Sequence, residues 1–163
     1  MSFNKIFDDY VYEQLSNLEF KSIISNVITT TRIELSDNLY THVNMNLTMR
    51  SNKNCTLVQL TTCINPNNII IHDFKSRIEN CGFGKQVLIH FNSIIHTYNF
   101  NISYIGGHLS FRDYNHWDKI IHMYTHYIQD VEMFIGDKLS PKEFLENAFK
   151  YQNQIVPFKL LLK

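Results

Sequence analysis

The chain has 163 residues, 44% of them hydrophobic, with 15 Lys and Arg balanced by 15 Asp and Glu. This length and apolar content predict a single folded domain over residues 1–163 and exclude a disordered chain. The formal net charge of zero lacks the basic excess of proteins that coat nucleic acid, so a nucleic-acid partner is not expected, whereas a homodimer stays possible.

The three cysteines, Cys55, Cys63 and Cys81, include no Cys-x-x-Cys pair. An odd count without such a pair is typical of a reducing, intracellular compartment, so we expect a cytoplasmic protein. The N-terminal residues are partly acidic, where a secretory signal would be basic and then apolar. No apolar run approaches the length that crosses a bilayer, and no membrane association is expected.

The predicted elements of the N-terminal half are one helix and a series of extended segments. Apolar residues at helical spacing predict a helix over residues 3–20. Residues 23–35 are rich in Ile, Val and Thr and indicate extended structure, with a short helix at 23–27 as the alternative. Alternating or continuous apolar patterns predict three antiparallel strands, with turns at 51–54 and 65–68 between them. These strands are 40–49, 55–64 and 69–74.

The C-terminal half alternates between helical and extended patterns. Apolar residues at i, i+3, i+4 and i+7 predict helices, and the last helix begins with Ser140 as its cap and Pro141 in its first turn. The predicted helices are 84–98, 114–128 and 141–151, and the predicted strands are 101–109, 131–135 and 156–162. This order predicts an α/β (α+β) domain, with a mixed, mostly antiparallel central sheet flanked by helices.

Four of the five glycines lie in one 26-residue stretch, at positions 82, 84, 106 and 107. Two of them belong to Cys81-Gly82-Phe83-Gly84, which follows a predicted strand and opens a predicted helix. The first N–H groups of a helix have no internal partner, and glycine lets an anion approach them closely, so this segment can cradle a phosphate. Lys85 would add a cation. The competing interpretation, a tight turn without a ligand, has equal weight on spacing alone.

This strand and glycine-capped helix, followed by a strand and an aromatic helix, resemble the GNAT acyltransferase superfamily over roughly residues 39–135. The acyl-CoA signature of that family is Arg or Gln, two residues of any type, Gly, one further residue, and Gly or Ala. Gly82 and Gly84 match its glycines, and Glu79 stands at the position of the Arg or Gln. Residues 107–124 resemble the family's fifth strand and fourth helix.

The resemblance implies that acetyl-CoA is the co-substrate and an amine is the acceptor. It implies that the fourth and fifth strands of the family fold splay apart, and that backbone groups of residues 73–76 and 82–85 bind the pantetheine arm and the pyrophosphate. Gly106 and Gly107 would then lie on the strand beside which the acyl arm passes. The predicted cofactor-binding residues are Phe74, Ser76, Cys81, Gly82, Phe83, Gly84, Lys85, Gln86 and Asn115.

The resemblance also assigns the catalytic residues. Tyr124 lies at the position of the family's tyrosine, which gives a proton to the departing CoA thiolate. The attacking amine must be neutral, so a base or an ordered water takes its proton. Asp73 and His72 are the two candidate bases, and regular alternation along a strand lets only one of them face the cleft. We expect Asp73.

Several alternatives remain open at this point. The chain is also compatible with a catalytically inactive GNAT-like module that binds a protein or nucleic acid, or with an oligomerisation domain. His122 and His126, one helical turn apart, can be paired with Asp118 as a zinc site, but no metal is expected because exposed histidines on a helix are common. Ser110 lacks the surroundings of a hydrolase nucleophile.

Overall fold

The described part of the chain is built on one sheet of eight strands. This computed structural model describes residues 19–21, 27–35, 41–49, 52–65, 67–76, 83–98 and 102–163. The strands are β1 (Glu19–Lys21), β2 (Val27–Leu35), β3 (Thr41–Met49), β4 (Asn52–Ile64), β5 (Asn68–Ser76), β6 (Tyr104–Leu109), β7 (Val131–Ile135) and β8 (Val156–Leu162). Their order in the sheet is β1-β2-β3-β4-β5-β6-β8-β7.

Every neighbouring pair of strands is antiparallel except β5 and β6, which are parallel. The three described helices are α1 (Phe83–Tyr98), α2 (Trp117–Tyr127) and α3 (Pro141–Glu146). Short 3₁₀ segments precede α2 at Phe111–His116 and follow α3 at Ala148–Tyr151. The predicted fold class, a mixed and mostly antiparallel sheet flanked by helices, is confirmed.

The main core lies between the sheet and the helices α1 and α2. In β3, Met45 and Leu47 are buried, and Met45 faces the equally buried Leu60 of β4. From α1, Leu88 and Phe91 complete this cluster. Full burial of such a side chain stabilises the fold by roughly 1.5–3 kcal/mol, so the alternating pattern of β3 and the helical stripe of α1 fix which faces meet.

Several predicted boundaries are corrected by the structure. The predicted helix at 3–20 lies outside the described residues, except that residues 19–20 belong to β1. β4 starts at Asn52, inside the predicted turn, because two register shifts let residues 52–56 pair with the end of β3. The predicted helix at 114–128 is α-helical only over Trp117–Tyr127, and β6 begins at Tyr104 rather than at residue 101.

The cap predicted for the last helix is confirmed. The Ser140 hydroxyl accepts from the backbone N–H of Glu143 at 3.2 Å, and the Glu143 carboxylate accepts from the backbone N–H of Ser140 at 3.4 Å. This reciprocal capping box satisfies two donors that would otherwise lack a helical partner. The α-helix nevertheless ends at Glu146, and residues 148–151 continue as 3₁₀ turns.

Gly107 is required by the packing of β8 against β6. A Cβ atom at this position would lie 2.6 Å from Cζ of the buried Phe158 ring. The Phe158 ring fills the space on this face of Gly107, while the expectation that the acyl arm passes beside this strand stays a prediction.

Gly107→Ala is expected to lower the free energy of unfolding by about 1–3 kcal/mol, since overpacking displaces a buried ring. Urea unfolding measures this, with Gly106→Ala as the control. There the new Cβ would meet the flexible Ile70 side chain at 3.1 Å and the Tyr104 ring at 3.3 Å. Equal losses in the two variants would contradict the role assigned to Phe158.

Candidate active site

The sheet opens between β5 and β6. Their parallel register joins only residues 68–70 to residues 104–106, and both strands extend beyond it without pairing further. At the closed end, the backbone N–H and the hydroxyl of Ser103 both donate to the carbonyl of Asn67, at 2.8 and 3.0 Å. The splay that the resemblance implies is present, and the second half of β5 has no described strand on its β6 side.

A β-bulge at His72 decides which residues of β5 face each side of the sheet. Thr61 of β4 lies opposite Asp73, whereas the next residue of β4 lies opposite Ile71, so His72 is the extra residue. After the bulge, Phe74 shares the helix-covered face with Ile71, and Asp73 lies on the other face. The regular alternation assumed for His72 and Asp73 is therefore wrong, and His72 is exposed at the bulge.

Tyr124 lies on α2 beside the opening. Its side chain is 4% exposed, and its ring centroid is 6.0 Å from that of Phe74 on β5 and 5.1 Å from that of Phe158 on β8. Burial raises the pKa of Tyr124 above its usual value, and the carboxylates of Asp73 and Asp113 raise it further. The phenol is therefore protonated near neutral pH, as an exposed tyrosine is, but it is a weaker acid than an exposed tyrosine.

Asp73 lies in the open half of β5, on the face opposite Phe74. Its carboxylate Oδ2 is 2.9 Å from Nζ of Lys75, two residues further along the strand. The Asp73 side chain is 39% exposed and the Lys75 side chain 73%. The carboxylate is therefore reachable from solvent while it already holds one alkylammonium group.

A polar row crosses the same face of the sheet. Asn44 of β3 lies opposite Thr61 of β4, which in turn lies opposite Asp73. The side-chain carbonyl oxygens of Asn44 and Asn46 are buried and have no hydrogen-bond partner among the described residues, and neither has the buried Thr48 hydroxyl. A buried acceptor without a donor costs about 1–3 kcal/mol. Within the described residues, this face of the sheet therefore carries buried polar oxygens beside the exposed Asp73 carboxylate.

The start of α1 lies next to the opening. Gly84 is close to the helix-covered side of the site, because a Cβ there would be 3.0 Å from Cε of Met123 and 3.3 Å from Cζ of Phe74. Lys85 is exposed, and its Nζ is 5.4 Å from the centre of the Tyr127 ring. An exposed cation therefore stands in the first turn of a 16-residue helix, where the dipole also favours an anion.

The other described residues of the predicted cofactor-binding set lie on β5, on α1 and in the 3₁₀ segment before α2. Gln86 is buried in α1, and Asn115 is exposed in the 3₁₀ segment before α2. Ser76 ends β5, and Phe83 begins α1. The predicted residues Cys81 and Gly82, as well as Glu79, lie outside the described residues. Their roles stay predictions.

The histidine pair on α2 and the hydroxyl of Ser110 have local structural roles. His122 and His126 stack on each other with ring centroids 5.1 Å apart, and no group of three or more His, Cys, Asp or Glu side chains suited to a metal occurs among the described residues. The Ser110 hydroxyl accepts from the backbone N–H of Arg112 at 3.3 Å, so it caps the 3₁₀ segment. Within the same ranges, no helix is long and apolar enough to cross a membrane.

Two residues of this site were missed by sequence reasoning. Asp113, in the 3₁₀ segment, acts electrostatically on Tyr124, and Phe158 on the last strand packs against the Tyr124 ring. Asp113 lies directly before Tyr114, inside the stretch that resembles the family, so its charge was a usable signal. For Phe158 no local signal exists, because the contact joins residues 34 positions apart in the chain.

No protein-family model and no curated protein sequence matches the chain. Solved structures similar to it include an acetyltransferase from Bacillus cereus ATCC 14579 (10% identity, TM-score 0.46, covering 78% of this chain and 79% of that one). Ard1 from Thermoplasma volcanium follows with 14% identity, TM-score 0.44 and coverages of 74% and 71%. A nourseothricin acetyltransferase has 6% identity, TM-score 0.47 and 94% coverage of both chains. At this level of similarity, neither an activity nor a substrate carries over.

Proposed function

We propose that this chain transfers an acetyl group from acetyl-CoA to an amine. The observation that carries the proposal is the opening between β5 and β6, with a buried, protonated Tyr124 beside it on the helix-covered face and the Asp73 carboxylate on the other. In acyl transfer from a thioester to a protonated amine, one group takes a proton from the amine and another gives a proton to the departing thiolate. This opening has a candidate for each role, one on either side.

The described residues fit the arm of a CoA thioester. Beyond the register with β6, residues 71–76 of β5 present backbone N–H and C=O groups that can pair with the amides of the arm, as in the addition of a strand. At the end of that edge, Lys85 and the first turn of α1 supply positive potential for phosphates. The expected contribution of Gly82 belongs to the same turn.

The chemistry divides between two groups. Asp73 accepts a proton from the ammonium of the acceptor, and the resulting neutral amine attacks the thioester carbonyl. As the carbon–sulfur bond breaks, the hydroxyl of Tyr124 donates its proton to the departing thiolate. The Tyr124 ring packs against Phe74 and Phe158, which holds its hydroxyl in place beside the opening.

The acceptor approaches on the face that carries Asp73. There the Asp73 side chain is 39% exposed, and its carboxylate already lies 2.9 Å from the ammonium of Lys75. This contact supports a primary amine, in its ammonium form, as the group that Asp73 receives.

Binding of acetyl-CoA tests the proposal. Calorimetric titration of the purified chain is expected to show binding, and Lys85→Ala should weaken it by about tenfold, because a charge-assisted contact with phosphate is lost. Lys142→Ala, which removes an exposed lysine of α3, should leave the affinity unchanged.

Two other results would reject the proposal in different ways. If neither heat nor a thermal shift accompanies acetyl-CoA, the chain binds no acyl-CoA. If acetyl-CoA binds but no amine in a broad panel is acetylated, the chain is an inactive binding module instead.

A further inference from the structure

The Lys75–Asp73 ion pair places a primary amine on the carboxylate that the proposed function makes the base. The two residues are separated by one position on the same strand, with Nζ 2.9 Å from Oδ2. Such an exposed pair contributes little to stability, typically less than about 1 kcal/mol. Stabilisation of the fold is therefore not a sufficient explanation of this ion pair, whereas the location of the pair has chemical consequences.

We propose that Lys75 is itself an acetyl acceptor and that the chain acetylates its own Nζ from acetyl-CoA. This inference rests on the proposed function, since it uses the same thioester site. The Lys75 side chain is 73% exposed and ends on the face from which an external amine would approach. The ammonium of Lys75 thereby occupies the position on Asp73 that the ammonium of an external acceptor would take.

Three other described lysines have different surroundings from Lys75. Lys85, Lys150 and Lys159 have their Nζ atoms 5.4, 6.0 and 4.7 Å from the centres of aromatic rings. An aromatic face attracts an ammonium group but cannot accept its proton. The ammonium of Lys75 is instead held by the carboxylate of Asp73, which can accept a proton. Asp73 directly precedes Phe74, whose ring centroid is 6.0 Å from that of Tyr124, and the Asp73 carboxylate raises the pKa of that phenol.

Atoms and charges balance in this transfer. The Lys75 ammonium loses one proton to Asp73, which releases it to solvent, and the lone pair of Nζ attacks the thioester carbon. The carbon–nitrogen bond forms, the carbon–sulfur bond breaks, and its electron pair leaves with sulfur. The second proton lost by Nζ replaces the one that Tyr124 gives to the thiolate. The products are one acetyl-lysine, CoA as the free thiol, and one proton in solution.

This reaction limits itself. An amide nitrogen is neither charged nor nucleophilic, so the acetylated Lys75 can neither react again nor keep its ion pair with Asp73. We therefore expect modification to approach one acetyl group per chain at Lys75 and then to stop.

Peptide mapping by mass spectrometry tests the inference on the intact, folded chain incubated with acetyl-CoA. Lys75 should be acetylated at least about tenfold faster than the exposed Lys142 of the same molecules. Asp73→Asn should lower the initial rate at Lys75 by about tenfold or more, and Asp73→Glu should restore part of it. Lys75→Arg should abolish that modification while acetyl-CoA still binds.

Equal rates at Lys75 and Lys142, or a rate at Lys75 that Asp73→Asn leaves unchanged, would overturn the inference, because both indicate uncatalysed chemical acetylation. A chain unfolded in urea supplies that uncatalysed pattern. If acetyl-CoA binds and Lys75 is not selected, only this inference fails. If acetyl-CoA does not bind at all, the proposed function fails with it.

Discussion

Tyr124→Phe is expected to lower kcat for acetyl transfer by about 10²- to 10⁴-fold while leaving the affinity for acetyl-CoA nearly unchanged. The substitution keeps the ring that packs against Phe74 and Phe158 and removes only the hydroxyl. Without it, the CoA sulfur must leave as an unprotonated thiolate beside the Asp73 and Asp113 carboxylates, whose charge opposes a second anion. Steady-state kinetics together with a binding titration separate the two effects.

The pH profile of the unmodified chain gives a second readout of the role of Tyr124. Because the pKa of Tyr124 is raised, the phenol stays protonated across the neutral and mildly alkaline range, and no loss of kcat in that range should arise from its ionisation. Tyr151→Phe is the matched control, since Tyr151 lies in the 3₁₀ segment after α3 and packs against Phe144. Equal kcat values for the Tyr124→Phe variant and the unmodified chain would remove Tyr124 from the mechanism.

The elements with strong periodicity could be predicted from the sequence. β3 carries apolar residues at every second position, and Met45 and Leu47 are indeed buried together. The helical stripe that predicts α1 likewise buries Val87, Leu88 and Phe91. Such patterns are local, and the free energy of burying them exceeds small differences in intrinsic propensity. The fold class follows from these elements and their order.

The arrangement of the candidate site could be predicted only in part. The positions of Asp73 and Tyr124 on neighbouring elements follow from the family resemblance, but the face on which Asp73 lies depends on the bulge at His72. One extra residue in a strand leaves no mark in a hydrophobic pattern, although it moves every later side chain to the other face.

The two glycines of β6 show the same limit of prediction from sequence. The sequence presents Gly106 and Gly107 as an adjacent pair suited to a passing ligand, and it gives no sign that Phe158 of β8 fills the space on one face of Gly107. That contact depends on strand order, with β8 inserted between β6 and β7. A local motif cannot show which side chain a distant strand will bring to it, and so a packing glycine and a ligand-binding glycine look alike in sequence.

Lowering the pH from about 6.5 to about 4 is expected to cost the folded state about 3 kcal/mol through His90 alone. His90 is 1% exposed on α1, and burial lowers its pKa from 6.5 to about 4. Between those two values the unfolded chain binds a proton that the folded chain does not. Stability therefore rises with pH across this window, is fully present above 6.5, and is lost as pH falls toward 4.

Urea unfolding at several pH values between 7 and 4, followed by circular dichroism, measures this loss. Carboxylates also titrate in the acidic part of the range, so the informative quantity is the difference between the chain and His90→Gln. That variant is expected to be less stable at pH 7 but to lose about 3 kcal/mol less on acidification. His122→Gln, which removes an exposed histidine of α2, is the matched control. Parallel pH profiles for His90→Gln and the unmodified chain would show that His90 titrates alike in both states, and that its burial carries no proton-linked cost.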